Sequence, residues 1–174
     1  MPNKNILIPI IILLFTTSCN KTEQVESGMY DFLLKSLISG TVPSITVDDL
    51  KELNSDNILI LDARELAEFR VSRIENAVHV GHENFDANKI DSFDRDRTVI
   101  VYCSVGVRSE IVGEKLQDAG FRDVKNLYGG IFEWVNRGEV VVDREGVTQN
   151  IHPYNRFWGI WLNKGKKAYK PEFD

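Results

Sequence analysis

The residues best suited to covalent chemistry lie in the run T-V-I-V-Y-C-S-V-G-V-R-S, 98–109, where the strand formers Thr98, Val99, Ile100 and Val101 lead through Tyr102 into Cys103. A free thiol titrates near 8.5, so only about 3% of it is thiolate at neutral pH. A loop whose amide N–H groups converge on the sulfur and open into a helix amino terminus lowers that value by roughly one to several units. Arg108 adds a permanent positive charge, and Gly106 allows a backbone angle that a side chain would block. Cys103 is therefore the expected nucleophile, with Ser104, Val105, Gly106, Val107 and Arg108 as the residues around its substrate. An inert buried cysteine is the plainer alternative, but packing alone does not explain a cysteine at a strand-to-helix switch with Gly and Arg behind it.

The elements that must hold this loop can be read on either side of it. Residues 98–101 are β-branched and almost wholly apolar, which suits a central strand buried on both faces. From Ser109 the period changes, and Ile111, Val112, Lys115, Leu116 and Ala119 recur at helical spacing until Gly120. Residues 103–108 thus join the carboxyl end of a strand to the amino end of a helix, the usual place for reactive groups in parallel sheets. A second buried strand, 58–61, ends at Asp62, so Asp62 and Arg64 share the edge of Cys103 if the strands are parallel. Asp62 is also placed to cap a helix over 65–69.

Further strands are expected at 45–47, 77–80 and 124–127, and helices from Asp48 or Asp49 through Leu53, over 85–93 and around Trp134 up to Gly138. Residues 29–38 have the pattern of an amphipathic helix packed on the outside of the domain. His79 and His82 lack a third ligand, so no metal is expected. The fold class is α/β: one domain with a mostly parallel central sheet flanked by helices, an N-terminal helix and an aromatic-rich C-terminal extension.

Three segments carry a family resemblance. C-S-V-G-V-R-S resembles the active-site loop of rhodanese sulfurtransferases; L-D-A-R-E-L-A-E-F-R-V-S-R-I-E-N-A-V-H-V, 61–80, looks like the first signature of that family, and L-Y-G-G-I-F-E-W, 127–134, like its closing one. The resemblance covers about 45–137 and implies a rhodanese-like domain in which Asp62 helps to hold the loop, with Arg64 and Ser109 as further supporting residues. Where the family usually reads Gly-His-Ile, this chain has Ser72, Arg73 and Ile74, at a position that supports folding. The six residues from Cys103 to Arg108 match the loop length of sulfur transfer; related phosphatases and arsenate reductases use a loop one residue longer.

With 174 residues, 43% of them hydrophobic, the chain can build one well-cored domain but not two. Its net charge is −5, and residues 21–142 hold 14 basic against 22 acidic groups, an acidic body that argues against nucleic acid as a partner. Lys4, the apolar run 6–15 and the small residues before Cys19 look like a bacterial lipoprotein signal, with Thr16 where Leu is preferred; a plain signal peptide is the alternative. The domain divisions are then a signal peptide at 1–18, a tether and helix at 19–40, the rhodanese-like domain at 41–139 and the extension at 140–174. With Cys19 lipidated, the protein is expected on a membrane outside the cytoplasm, and Cys103 has no thiol partner in the chain.

The expected enzyme is a sulfurtransferase without a cofactor: Cys103 takes sulfane sulfur from thiosulfate, a persulfide or a polysulfide and passes it as a persulfide to a thiol or cyanide. Of the loop side chains only Arg108 can meet a dianion, since Ser104, Val105 and Val107 are neutral. A non-catalytic binding or redox-sensing module is the alternative. The aromatic residues Tyr154, Phe157, Trp158 and Trp161 are too dense for a disordered end and are expected to cover the domain, whereas Lys164, Lys166, Lys167 and Lys170 form a solvated basic end.

Overall fold

Strand β4 (Thr98–Tyr102) lies at the centre of the molecule because both of its faces are apolar. In the computed structural model, which describes residues 25, 27–53, 57–86, 90 and 92–172, it is flanked by β2 (Ile58–Asp62) and β5 (Asp123–Leu127). With β1 (Ser44–Ile45) and β3 (Val78–His79) these make a five-stranded sheet in the order β1-β5-β4-β2-β3, parallel throughout. Leu61 pairs with Val101 and Asp62 with Tyr102, while Ile45 pairs with Leu127. This common direction brings Asp62, Cys103 and Tyr128 to one sheet edge.

The alternating side chains of β4 divide the core in two. Val99 and Val101 pack with Leu59, Leu61 and Val124 against Val112 and Leu116 of α4 (Val107–Asp118). Ile100 and Tyr102 face the other way, toward Tyr30 and Leu34 of α1 (Gly28–Leu37) and Ile131 and Phe132 of α5 (Gly130–Asn136). Each large apolar side chain withdrawn from water contributes about 1.5–3 kcal/mol, so the sheet is held from both faces.

Several local expectations are revised. The α4 helix begins at Val107, two residues before its apolar period is visible, because Gly106 at φ +115° turns the chain directly into it. Thr46, not Asp48 or Asp49, caps α2 (Val47–Glu52), its hydroxyl accepting the Asp49 N–H at 3.1 Å. Helix α3 (Leu66–Val71) is capped by Glu65 rather than by Asp62, and the Glu68 carboxylate receives the Glu65 N–H at 3.1 Å. The helix expected over 85–93 falls largely on residues outside those described; Phe85, Asp86, Ser92 and Phe93 are not α-helical.

After α5 the chain returns across the domain. The hairpin β6 (Val141–Val142) and β7 (Val147–Thr148) joins the body through backbone bonds between Arg73 and Val142. Strands β8 (Asn150–Ile151) and β9 (Lys166–Lys167) pair in parallel around a 3-10 turn at Trp158–Trp161. Ile151 and Leu162 enter the core, and the Asn136 side chain ties the turn by donating to Trp161 O at 2.8 Å and accepting the Asn163 N–H at 2.8 Å. Trp161 stacks on the buried Tyr30 with ring centroids 5.3 Å apart, so the two flanking segments pack on one another. Among the described residues no helix is long and apolar enough to cross a membrane.

Candidate active site

Cys103 leaves β4 buried at the floor of its loop, with its Sγ accepting the Gly106 N–H at 3.1 Å. Three neighbours fix the loop. Asn126 of β5 donates from Nδ2 to Gly106 O at 2.9 Å, and its Oδ1 accepts the Ser109 hydroxyl at 2.7 Å. From below, the amides of Ile131 and Phe132 donate to Cys103 O and Ser104 O at 2.9 and 3.2 Å. This approach requires Gly130: a Cβ there would lie 2.4 Å from Cys103 O and 2.7 Å from Ser104 O. The closing motif is thus a support for the Cys103 loop.

Burial alone raises the Cys103 pKa, but the Arg108 charge and hydrogen bonds from Ser109 and the Gly106 amide outweigh it and hold the thiol below its ordinary value. The Ser109 hydroxyl has one proton, which the geometry gives to Asn126, so its support of sulfur competes with that bond. The amides and Arg108 are the firmer source of the shift. Alkylation of Cys103 by iodoacetamide is accordingly expected to rise with pH and reach its plateau with a midpoint below the ~8.5 of a free cysteine. A midpoint at or above that of glutathione measured alongside would contradict the activated thiol.

Arg108 does not wait free for an anion. Its Nη1 and Nη2 donate to Glu68 Oε2 and Oε1 at 2.7 and 2.9 Å, and Nη2 also reaches Ser104 Oγ at 2.9 Å. Ser104 in turn donates to Glu68 Oε1 at 2.9 Å, and the Tyr154 ring covers the guanidinium with 4.6 Å between Cζ and the centroid. Burial pushes the Glu68 carboxyl up, yet its bonds and charge contacts with Arg108 and Arg64 prevail and hold it below the ordinary carboxylate range. Arg108, the one charged side chain of the loop, thus has its counter-charge supplied by Glu68 of α3.

Asp62 and Arg64 form a second, fully buried pair beside the loop. The Arg64 Nη2 donates to Asp62 Oδ2 and to Ser72 O, each at 2.6 Å, and the Tyr102 hydroxyl donates to the same Asp62 oxygen at 2.6 Å. Tyr102 Oη then accepts the Ile74 N–H at 3.2 Å, so the pair joins β2, β4 and the segment after α3. Both residues thus act on the scaffold of the loop. The His79 Nε2 lies 2.8 Å from Arg64 O, and no cluster of three or more His, Cys, Asp or Glu suited to a metal occurs among the described residues. Cys19, the expected lipidation site, lies outside the described residues.

A cavity of about 210 Å³ opens over Cys103. Ser104, Val105, Val107 and Arg108 line it from the loop, while Gly106 and Ser109 face the sulfur. The remaining walls are Leu37 of α1 and Tyr154 and Trp158 of the C-terminal extension, which come from far along the chain. Of the residues not anticipated, Glu68 carried a signal in its place three residues after a helix cap. Asn126, within a strand, and Leu37, within an amphipathic helix, carried none.

A family model described as the rhodanese-like domain matches residues 46–137. The chain is 36% identical over 83 residues to the tRNA uridine(34) hydroxylase of Cytophaga hutchinsonii, covering 45% of this chain and 27% of that protein. It is 29% identical over 86 residues to the thiosulfate sulfurtransferase GlpE of Actinobacillus succinogenes, covering 49% of this chain and 77% of the relative. Among solved structures, a rhodanese-related protein from Thermoplasma volcanium is 31% identical with a TM-score of 0.51, covering 57% of this chain and 97% of that one. The chain therefore spans only about a quarter of the hydroxylase but most of the two smaller relatives. With the matched segment holding the five-stranded parallel sheet almost entire and the Cys103 loop at its edge, the chain belongs to the rhodanese-like family.

Proposed function

We propose that this protein is a single-cysteine sulfurtransferase that carries sulfane sulfur on Cys103. The observation that carries the reading is a buried thiol whose pKa is lowered by Arg108, Ser109 and the Gly106 amide at the foot of an open cavity. In the first half-reaction the Cys103 thiolate attacks the outer sulfur of a donor R–S–SH; the new S–S bond forms as the old one breaks, and its electron pair leaves on R–S⁻. The transferred sulfur remains as Cys103–S–SH, whose deprotonated form the same amides stabilise. In the second half-reaction an acceptor thiolate attacks that outer sulfur and restores the Cys103 thiolate. Neither step calls for a metal or an organic cofactor.

Names among the relatives, such as thiosulfate sulfurtransferase, support this chemistry as a class. The test is intact-mass spectrometry after incubation with a panel of sulfur donors. The protein is expected to gain one sulfur atom, removable by cyanide or by a thiol; efficient hydrolysis of aryl phosphate with no sulfur gained from any donor would replace the reading with phosphoryl chemistry.

The same proposal places the enzyme outside the cytoplasm on a lipidated Cys19, supported by Lys4, the apolar run 6–15 and Ser18 ahead of the cysteine. Two acyl signals or more are needed for stable anchoring, as a lipoprotein amino terminus would supply. Expressed in a bacterium, the protein should fractionate with membranes, and Cys19→Ala should release it or leave its signal uncleaved; unchanged processing and partitioning in the variant would remove the anchor.

A further inference from the structure

We infer that the cavity over Cys103 selects a sulfane sulfur carried on an apolar organic group of about phenyl size, an organic hydropersulfide, rather than a small dianion such as thiosulfate. The inference rests on the sulfurtransferase reading and adds the substrate class, argued from segments that flank the matched domain.

The first argument is charge. Thiosulfate brings two negative charges to a site that already holds the Cys103 thiolate, and the cation beside that thiolate is matched by the Glu68 carboxylate at 2.7 Å. Ser104 is engaged by the same pair, and the Tyr154 ring covers a face of the guanidinium. A dianion would lose its hydration without gaining a free counter-charge, which is unfavourable in a partly buried site. A hydropersulfide carries at most one negative charge and is attacked in its protonated, neutral form, so it meets a smaller penalty, and the loop amides still receive the one sulfur that becomes anionic.

The second argument is the wall. Leu37, Val105, Val107, Tyr154 and Trp158 present carbon to the opening, and about 210 Å³ exceeds the ~150 Å³ that suffices for a benzene ring in an apolar cavity. These walls are held in place by dedicated contacts. Leu37 is the last residue of α1, and just beyond it the amides of Ser39, Gly40 and Thr41 all donate to the Glu110 carboxylate on α4, at 2.9, 2.6 and 3.1 Å. Ile38 also reaches the loop, since a Cβ on Gly106 would lie 2.8 Å from its Cδ1. Tyr154 adopts φ +59°, a left-handed conformation rare for a bulky residue, and its ring lies over Arg108. Trp158 is packed at the edge of the core. Tyr154, stacked on Arg108, and Trp158 thus form one wall of the cavity that Cys103 also lines.

The reaction balances without a further reagent. Cys103–S⁻ and R–S–SH give Cys103–S–SH and R–S⁻; the proton stays on the transferred sulfur, and the apolar R–S⁻ leaves through the opening.

The experiment compares loading of Cys103 by methyl hydropersulfide, benzyl hydropersulfide and thiosulfate, read as persulfide by mass spectrometry under single-turnover conditions. Methyl and benzyl donors share the same reacting atoms, so their ratio reports the wall. The half-saturating concentration of the benzyl donor is expected to be roughly ten- to a hundredfold below that of the methyl donor, from the extra apolar area buried. Trp158→Ala should bring the two within about threefold of each other. Leu37→Lys, at a position partly open to solvent, should also narrow the gap and raise thiosulfate loading about tenfold by adding a cation at the mouth. Circular dichroism melting of each variant separates a lost wall from a lost fold, and Leu37→Lys keeps the test valid if Trp158→Ala does not fold. Equal use of methyl and benzyl donors, or loading by thiosulfate at lower concentration than by the benzyl donor, overturns the inference while leaving the sulfurtransferase intact. Absence of loading from all three donors overturns both.

Discussion

Cys103→Ser is expected to lower the rate of sulfur uptake by at least about a thousandfold, to a level that intact-mass measurement reads as zero. The substitution is nearly isosteric, and Sγ is buried in a loop held by Asn126 and by the amides of Ile131 and Phe132, so the fold should persist. What changes is the population of the reactive anion. A thiol in this setting is held below its ordinary pKa, whereas a hydroxyl in the same place has almost no anionic fraction at neutral pH. Cys103 is the one free cysteine among the described residues, so no other described thiol can take its place. Cyanide-labile sulfur found on the serine variant at the wild-type level would show that sulfur is held elsewhere, and the proposed role of Cys103 would be withdrawn.

The second large effect is expected at Glu68, and it runs in opposite directions for stability and for thiosulfate. Glu68→Gln removes the charge that answers Arg108 while keeping a group able to hydrogen-bond Ser104. Breaking a buried ion pair costs about 3–5 kcal/mol; the Arg108 side chain is 17% exposed, so roughly 2–3 kcal/mol is a fairer figure here. For a chain of this size that lowers Tm by about 5–10 °C. The same change frees the Arg108 charge, and thiosulfate loading should rise about tenfold.

The effect at Glu68 depends on pH with a definite sign. Its folded-state pKa is lowered, so the carboxylate contributes stability that is present above the unfolded value of about 4.3 and is lost as pH falls through the lower folded value. The wild type and Glu68→Gln should therefore differ most at neutral pH and converge in acid. A gap in Tm that is constant from pH 7 to pH 3 would mean that the stability of the native protein does not draw on this charge pair.

The two effects share a cause. In the matched segment alone, residues 46–137, the loop would open to solvent on the side where Leu37, Tyr154 and Trp158 now stand. The flanking segments are joined to one another by the stack of Tyr30 on Trp161, and the Tyr30 hydroxyl donates to Gly129 O at 3.0 Å, next to the glycine that lets α5 approach the loop. Burial of the site is thereby coupled to the same elements that position it. A low-dielectric surround strengthens both the Glu68–Arg108 pair and the interaction of Arg108 with the thiolate.

Much of the strand and loop around Cys103 was legible in the amino-acid sequence because those residues obey local rules. Thr98 to Val101 are apolar on both faces and so must be central, and the change to helical period after the loop marks a strand-to-helix switch with Cys103 at its foot. Gly106 could be assigned a left-handed turn because a side chain is disfavoured there. The partners of the loop were hidden, since nothing local distinguishes Asn126 from another polar strand residue or Glu68 from another helix-start carboxylate; each acquires its role from a neighbour 20 to 40 positions away. For the same reason Arg108 looked available to an anion, because sequence displays a charge without its counter-charge. The walls at Leu37, Tyr154 and Trp158 depend on chain return and on packing over more than 100 residues, which only the tertiary structure decides. Local propensity and periodicity determined where Cys103 stands; long-range burial and ion pairing decided what surrounds it.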